Sequence, residues 1–418
     1  MLILKVDDWL VWTGESLVRP DGSPIPAGWV AAAALPVVGA GQYAILTGRG
    51  LFEVRTGAPG RFSVPAVPQV SGGLRSPLDF LDRATEQYVD RAGPGVPPPF
   101  GVTATVREVG SGWLGNVTTA QGAVPVPVPT PYLPRDKVVH PNVLEFYSGW
   151  NGWRYVMALT AYSHEIEENP YLVASNDLQT WVMLTGILAD VPKIPTAHNS
   201  DPYLAYDPRS ASIILMWRES IKTSEVGRVD TLYYRQTKDG TNWTSPKLVK
   251  GPHYAGDKKL SLSPSLIFNT SLSRWFLYVF DQATTGGGQA LWTYSSKTLG
   301  GAWEVASETK VEGLSMWHGE VKLVGNRLVV LIHSMTANQL YFGVSLPGSW
   351  KDFTVSTNPV VTGVGADGMY KASFLPEYSA DDTQLAFNII WTSNAGSATP
   401  EKRWRMYIGK TNFASAVP

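Results

Sequence analysis

The sequence predicts an all-β protein: a five-bladed β-propeller preceded by a small β-rich N-terminal attachment module and a short helix. From about residue 139 the 418-residue chain repeats one pattern five times, in which a polar residue, often followed by Pro, leads into apolar runs. These runs have the length of strands, and Val, Ile and aromatic residues alternate with Gly, Asn, Asp and Pro turns. Each of the first four units closes on a tryptophan, at a spacing of ~50 to 60 residues that is typical of propeller blades. The closing residues are Trp181, Trp243, Trp303 and Trp350.

Four segments are predicted along the chain. Residues 1–75 form the attachment module, because short apolar runs there are broken by Pro and Gly. Residues 76–93 open with an N-cap serine and a proline and continue at helical spacing, which predicts a short helix and a candidate trimerisation element. Residues 94–133 form a Pro-rich linker with a small hairpin, and residues 134–418 form the propeller.

Composition excludes several classes of protein. The net charge is −1 and there is no basic run, so we expect no nucleic-acid partner. No apolar stretch reaches the ~18 residues of a transmembrane helix, so we expect no membrane insertion. Cysteine is absent, which excludes disulfides, cysteine nucleophiles and thiolate metal sites. The 16 Trp and 18 Tyr suit either blade cores or stacking against sugar rings.

The first strand of each unit is expected to be the innermost strand of its blade, lining the central channel. One position of this strand is polar in all five units, where a buried structural strand would favour Val or Ile. We predict these residues as a ligand-binding ring, although a wet channel mouth explains their polarity without any ligand. The five residues are His140, Asp201, Ser263, His318 and Lys371.

A metal site is considered at the same place. His140, His198 and His318 could converge with Asp201, and two or three imidazoles with one carboxylate are an adequate ligand set. No close spacing such as His-x3-His supports this arrangement. Neither a metal nor any other cofactor is therefore predicted.

Several short motifs together carry a family resemblance. They are His140-Pro141-Asn142-Val143, Trp150-Asn151-Gly152-Trp153-Arg154-Tyr155, Glu168-Asn169-Pro170, Asn199-Ser200-Asp201-Pro202, Leu262-Ser263-Pro264-Ser265 and Trp317-His318. With them, the units from about 139 to 415 resemble the five-bladed propellers of glycoside hydrolase families 43 and 32. They resemble more closely the propeller modules of that type in phage tail fibres and baseplate receptor-binding proteins.

The resemblance also bears on catalysis. Hydrolases of these families need two carboxyl groups flanking the glycosidic bond. The resemblance places their base at His140, their second carboxylate at Asp201 and their acid at Leu262. Because two of these three residues carry no carboxyl group, no catalytic residue is predicted. If the chain is an enzyme, Asp201 and Glu320 are the candidates.

The resemblance implies a phage tail receptor-binding protein at the virion tail tip, whose propeller binds a host cell-surface glycan. The implied partners are this glycan, other tail or baseplate proteins, and further copies of the chain in a homotrimer. Two alternatives stay open: a glycoside hydrolase acting on a cell-wall polysaccharide, and a purely structural baseplate component. Besides the ring, the predicted glycan contacts are Trp150, Trp153, Glu168, Asn169 and Trp317.

Overall fold

A computed structural model gives the fold as all-β in the residues that it describes, with a small N-terminal sheet and a five-bladed propeller. None of the helices in the described residues is long and apolar enough to cross a membrane. The described residues are 9–12, 17–18, 42–47, 52–56, 113–114, 123–131, 137–161, 168–189, 197–207, 209–210, 212–223, 227–254, 261–280, 290–311, 313–334, 339–360, 369–379, 383–394 and 404–415.

The N-terminal sheet has four antiparallel strands in the order β2-β1-β3-β4. Three of them coincide with apolar runs that predict the β-rich module. The helix predicted at 76–93 and the hairpin predicted within the linker lie outside the described residues. The strands are β1 (Trp9–Trp12), β2 (Leu17–Val18), β3 (Gln42–Thr47) and β4 (Phe52–Thr56).

The propeller consists of five antiparallel sheets. If β5 is set aside, the first strand of each sheet along the chain is the one that lines the channel. The predicted fold class is therefore confirmed. Blade 1 contains β6 (Val138–Trp150), β7 (Trp153–Ala161), β8 (Pro170–Ser175) and β9 (Val182–Met183); blade 2 contains β10 (Ala197–Asp207), β11 (Ser212–Thr223), β12 (Gly227–Thr237) and β13 (Lys247–Tyr254); blade 3 contains β14 (Leu262–Asn269), β15 (Arg274–Phe280), β16 (Leu291–Ser296) and β17 (Glu304–Thr309); blade 4 contains β18 (Met316–Val324), β19 (Arg327–Ser334), β20 (Gln339–Ser345) and β21 (Phe353–Val355); blade 5 contains β22 (Met369–Tyr378), β23 (Gln384–Ser393), β24 (Arg405–Lys410), β25 (Ala414–Ser415) and β5 (Val124–Val126).

The outermost strand of blade 5 comes from the segment predicted as a linker. Strand β5 pairs with β24, with Val126 opposite Met406 and Pro125 opposite Tyr407. A proline lacks the N–H that a central strand needs, but it is tolerated in an edge strand, whose outer side has no partner. The propeller therefore begins before residue 134, and the Val-Pro alternation that predicts a stiff spacer instead closes the ring of blades.

The apolar core lies between the blades. Five clusters of buried side chains fill the five interfaces between neighbouring blades, so each sheet buries both faces. Trp113 joins this core from outside the repeats, because it is fully buried between blades 4 and 5 against Phe342 and Phe387. The burial of apolar surface on both faces of every sheet is the main stabilising contribution.

The turns that end in tryptophan are structural. In blade 1, the Asp177 carboxylate accepts a hydrogen bond from the backbone N–H of Thr180 at 2.7 Å, and Trp181 Nε1 donates to the Leu178 carbonyl at 3.1 Å. Blade 2 repeats both bonds around Asp239. An aspartate that hydrogen-bonds the backbone two or three residues on fixes a tight turn. The recurring tryptophans thus mark the turns between outer strands.

Side chains fill the central channel in layers. On β18, His318, Glu320 and Lys322 alternate along the strand and therefore point to the same side at three successive levels. At the middle level, Glu320 accepts hydrogen bonds from the Asn142 amide, from Ser373 Oγ at 2.8 Å and from a backbone N–H of blade 5 at 3.0 Å. Blades 1, 4 and 5 are tied together by this one carboxylate.

The lowest level is closed by a buried ammonium group. Lys322 Nζ donates to the carbonyls of Val143 and Phe374, each at 2.6 Å, and lies 3.4 Å from Glu320. All of these groups are almost fully buried, so each polar atom finds its partner inside the protein. In the described part of the chain, the channel is therefore blocked below the ring that holds His318, at the levels of Glu320 and Lys322.

We expect Lys322→Met to destabilise the protein by about 3 to 5 kcal/mol, because it leaves the buried Glu320 charge without its cation. Equilibrium unfolding in urea measures this change. Lys351, which is exposed, supplies the matched control: Lys351→Met should change the stability by less than about 0.5 kcal/mol. Equal effects of the two substitutions would show that the channel network does not hold the blades.

Candidate functional site

The five predicted ring residues lie together at one end of the channel, near the start of each inner strand. Each of these strands carries one extra residue relative to its neighbour at this point, which is a β-bulge. Bulges redirect side chains and are common next to active sites. All five ring side chains are almost completely buried. Whether they bind a ligand stays a prediction, but their convergence is an observed property of the fold.

Three ring residues have an unusual backbone conformation. His140, Asp201 and Ser263 have φ angles of 58°, 51° and 44°, in the left-handed region that non-glycine residues rarely adopt. Each of them precedes a proline, which has no N–H to pair with the neighbouring strand. Backbone strain of this kind costs about 1 to 3 kcal/mol per residue and is concentrated at functional sites.

The carboxylate of Asp201 is the point on which the ring converges. Its Oδ1 atom lies 3.2 Å from Ser263 Oγ, 3.4 Å from His318 Nδ1, 3.6 Å from Lys371 Nζ and 3.8 Å from His140 Nε2. These four side chains come from the four other blades. One oxygen atom therefore contacts a polar group from every other blade of the propeller.

The other oxygen of this carboxylate is held by Arg218, a residue that sequence analysis does not identify. The guanidinium lies 2.9 Å from Asp201 Oδ2, 2.7 Å from Ser200 Oγ and 3.2 Å from Asp230 Oδ2. Arg228 pairs with the same Asp230 at 3.1 Å. Arg218 follows the apolar run of β11, but Glu219 and Lys222 are charged residues of the same strand, so no distinctive pattern marks Arg218 in the sequence.

These contacts determine the charge of the ring. Burial raises the pKa of Asp201, but the charges of Arg218 and Lys371 outweigh it and hold this pKa well below its usual value. Burial lowers the pKa of both His140 and His318, although Asp201 opposes the change. Burial also lowers the pKa of Lys371. At neutral pH we therefore expect an ionised carboxylate beside two neutral imidazoles.

Asp201, His140 and His318 could hold a metal ion. One ligand atom from each lies within 4.8 Å of the others. Among the described residues, His140 Nε2 is buried without a hydrogen-bond partner. On His318 the atom near Asp201 is Nδ1, which also lies 2.7 Å from Ser263 Oγ, and the opposite atom, Nε2, is the one without a partner. Neutral imidazole is the form that binds metals, and two ligands at about 2.1 Å from a tetrahedral zinc lie roughly 3.4 Å apart. The spacing along the chain cannot reveal this set, because its members come from three blades.

His198 does not belong to that set but lies near it. Its Nε2 atom is 3.6 Å from Glu168 Oε2, and its Nδ1 atom has no hydrogen-bond partner. Burial, together with the charge of Arg218, lowers the pKa of His198 to about 4. Asn169 accepts a 2.8 Å hydrogen bond from the amide of Asn199, next in sequence to His198. Two of the predicted contacts, Glu168 and Asn169, thus lie at the same end of the propeller as the ring.

The remaining predicted contacts separate into two groups. Trp317 adjoins the ring, with its indole 4.7 Å from the His318 imidazole. Trp150 and Trp153 lie at the far end of the β6–β7 hairpin, a whole strand away from His140. There Trp150 stacks on Phe146 at 5.8 Å. The structure therefore brings Trp317 to the ring but not the other two tryptophans.

Comparison with known proteins was made at the level of families, sequences and structures. No family model matches the chain. A stretch of 117 residues, 27% of the chain, is 31% identical to the A type blood N-acetyl-alpha-D-galactosamine deacetylase of Flavonifractor plautii. This stretch spans only 15% of that relative's length.

Solved structures extend the likeness over the propeller. The N-acetylgalactosamine deacetylase from F. plautii, in complex with blood group B trisaccharide, matches with a TM-score of 0.56 and 19% identity, covering 72% of this chain and 95% of that chain. A family 32 β-fructofuranosidase from Bombyx mori matches with a TM-score of 0.47 and 14% identity, covering 73% and 62%. The match to the deacetylase structure, at 19% identity, supports the fold, a five-bladed β-propeller.

These findings overturn one expectation. The prediction of a phage tail receptor-binding protein is wrong, because the sequence and structure matches are to a carbohydrate-acting enzyme. They agree better with the first alternative, a glycoside hydrolase acting on a cell-wall polysaccharide. The resemblance to phage proteins rested on propeller motifs that enzymes of this fold share, so it could not distinguish binding from catalysis.

We expect Arg218→Gln to destabilise the protein by about 3 to 5 kcal/mol, because it removes the buried cation that pairs with both Asp201 and Asp230. The cation holds the pKa of Asp201 low, so this stabilisation is present above the ordinary pKa of an aspartate and is lost as the pH falls. The difference between variant and unchanged protein should therefore shrink in acid. Urea unfolding at several pH values measures it.

Arg274 offers the control, since it pairs with Glu304, whose side chain is 72% exposed. Arg274→Gln should cost less than about 1 kcal/mol. A cost for Arg218→Gln as small as that of the control, at every pH, would contradict the account of the ring.

Proposed function

We propose that the chain is a hydrolase that removes an acyl group from a sugar with the help of a divalent metal ion. The acyl group is above all the acetyl group of an N-acetylated sugar. The observation that carries the proposal is the convergence of His140, His318 and Asp201, together with the buried His140 Nε2 near Asp201, which has no hydrogen-bond partner among the described residues. The likeness to an N-acetylgalactosamine deacetylase supports the choice of substrate class.

Cleavage of a glycosidic bond is less well supported by the same geometry. That reaction needs two carboxyl groups on either side of the bond. In the ring, Asp201 is the only carboxylate among the five residues, and the family's acid position is the buried Leu262. Glu320 lies one level lower, where Asn142 and Ser373 already occupy its oxygens. We therefore assign Glu320 a structural role.

The residues present have the chemistry that amide hydrolysis requires. Water adds its hydroxyl to the acyl carbon, the C–N bond breaks, and the sugar nitrogen takes up a proton, giving acetate and an amine. A divalent ion bound to His140, His318 and Asp201 would polarise the substrate carbonyl. Glu168 and His198 form a neighbouring carboxylate and imidazole pair that could accept the proton of water and deliver it to nitrogen.

The side chains around the metal ligands have a positioning role. Arg218 and Ser263 each contact the carboxylate of Asp201 and so fix its orientation. His140 Nδ1 lies 3.0 Å from Thr160 Oγ1, which fixes this imidazole and leaves Nε2 facing Asp201. Removing a residue that holds a metal ligand in place typically lowers metal affinity or activity by roughly 10- to 100-fold.

We expect the protein to release acetate from oligosaccharides that end in N-acetylgalactosamine or N-acetylglucosamine, and to lose this activity in EDTA. Zn²⁺ or Mn²⁺ should restore it. His318→Ala and Asp201→Asn should lower the turnover at least about 100-fold, because each removes a ligand. Acetate release, metal content by mass spectrometry and thermal unfolding are measured on the same preparations.

His253 provides a matched control because it is a half-buried histidine outside the ring, with Nε2 2.7 Å from Lys250. His253→Ala should keep both the metal and the activity. Release of reducing sugar without acetate would replace this proposal by the glycosidase alternative. Folded protein that binds no divalent metal and releases neither product would overturn it.

A further inference from the structure

Three aromatic residues cover the ring at its open end, and we call them the aromatic wall: Trp317, Tyr370 and Trp404. The Tyr370 ring lies 4.6 Å from the imidazole of His318 and 5.1 Å from that of His140. The indoles of Trp317 and Trp404 each lie 5.2 Å from Tyr370. The wall is therefore continuous with the two candidate metal ligands.

The wall differs from the other aromatic clusters of the propeller in its exposure. Phe342, Phe374 and Phe387 contact one another and are fully buried in a blade interface. All three residues of the wall are only partly buried, whereas His140 and His318 expose 1% of their surface. The wall thus lies on the solvent side of the imidazoles. Among the described residues, Trp317 also packs against the apolar cluster between blades 3 and 4, whereas Tyr370 and Trp404 belong to none of the five clusters.

The geometry of the channel limits what can reach the ring. Below the ring the described residues block the channel, since Glu320 and Lys322 bond to groups from blades 1 and 5. A ligand must therefore approach from the side of the wall. The imidazoles are so deeply buried that a pyranose cannot contact them directly. Only a narrow substituent that projects from the pyranose can do so.

We propose that the aromatic wall binds one apolar face of a pyranose. The acetamido substituent of that sugar then extends past Tyr370 to the five polar residues that surround the channel. Faces of pyranose rings carry C–H groups that stack on Trp and Tyr, whose large flat side chains supply contact area and specific geometry. The wall then selects an N-acetylated hexopyranose at the end or side of a glycan. This inference rests on the proposed function for the identity of the substituent, but sugar binding itself needs no metal.

Isothermal titration with N-acetylgalactosamine and with N-acetylglucosamine, in EDTA, separates this inference from the proposed reaction. At least one of the two sugars should bind the unchanged protein. Trp317→Ala and Trp404→Ala should each weaken its Kd about threefold to tenfold, as expected for the loss of one aromatic stacking contact. Trp317→Phe and Trp404→Phe should recover most of the affinity, because they keep an aromatic face.

Trp303 is the matched control. It is half-buried and lies in the turn between β16 and β17. Its Nε1 donates to the carbonyl of Val249 in β13. Trp303→Ala should leave the Kd unchanged, provided that circular dichroism shows it to be folded. Two results would overturn the inference. Either both wall variants have the same Kd as the control, or the unchanged protein binds neither sugar.

The enzymatic readout distinguishes the two failures. If acetate is released but KM is the same in Trp317→Ala and Trp404→Ala as in the unchanged protein, the reaction stands and the wall is not its sugar subsite. If sugar binding depends on the wall but no acetate is released with any added metal, the subsite stands and the proposed reaction does not.

Discussion

The structure depends on one buried carboxylate. Asp201 receives a polar side chain from each of the other four blades on one oxygen and the Arg218 guanidinium on the other. A buried aspartate is strongly destabilising unless cations pair with it, and Arg218, at 2.9 Å, is nearer to Asp201 than Lys371, at 3.6 Å. Once its charge is balanced, the same carboxylate fixes the ends of five separate sheets around a single point and holds two neutral imidazoles beside it.

The channel divides structural from chemical tasks by depth. At the level of Glu320 and Lys322, the buried polar atoms are paired with groups from neighbouring blades, and the result is a closed floor. At the level of the ring, the Nε2 atoms of His140 and His318 have no hydrogen-bond partner among the described residues. A buried polar atom without a partner costs free energy. Its persistence at one level, directly above a fully paired one, is physically understandable if that level binds something.

Part of this arrangement is predictable from the sequence. A polar residue before proline recurs in blades 1, 2 and 3, so its alignment identifies His140, Asp201 and Ser263 without coordinates. Three features escape such reasoning. Strand β5 is hidden because its prolines suggest a spacer, and only the free edge of blade 5 makes them acceptable. Arg218 acts across strands, which no local spacing encodes. The distance of Trp150 from the ring follows from the length of β6, whose opposite ends lie at opposite ends of the channel.

The function illustrates the same limit. Motifs that establish the propeller are shared by binding modules and by enzymes, so they favoured a receptor-binding protein until the sequence and structure matches were known. The most direct test of the account is anomalous X-ray diffraction from crystals grown with Zn²⁺. The account predicts one strong anomalous peak within about 2.3 Å of Asp201 and of both His140 and His318. The absence of such a peak, with Asp201 neutralised by Arg218 and Lys371 only, would contradict it.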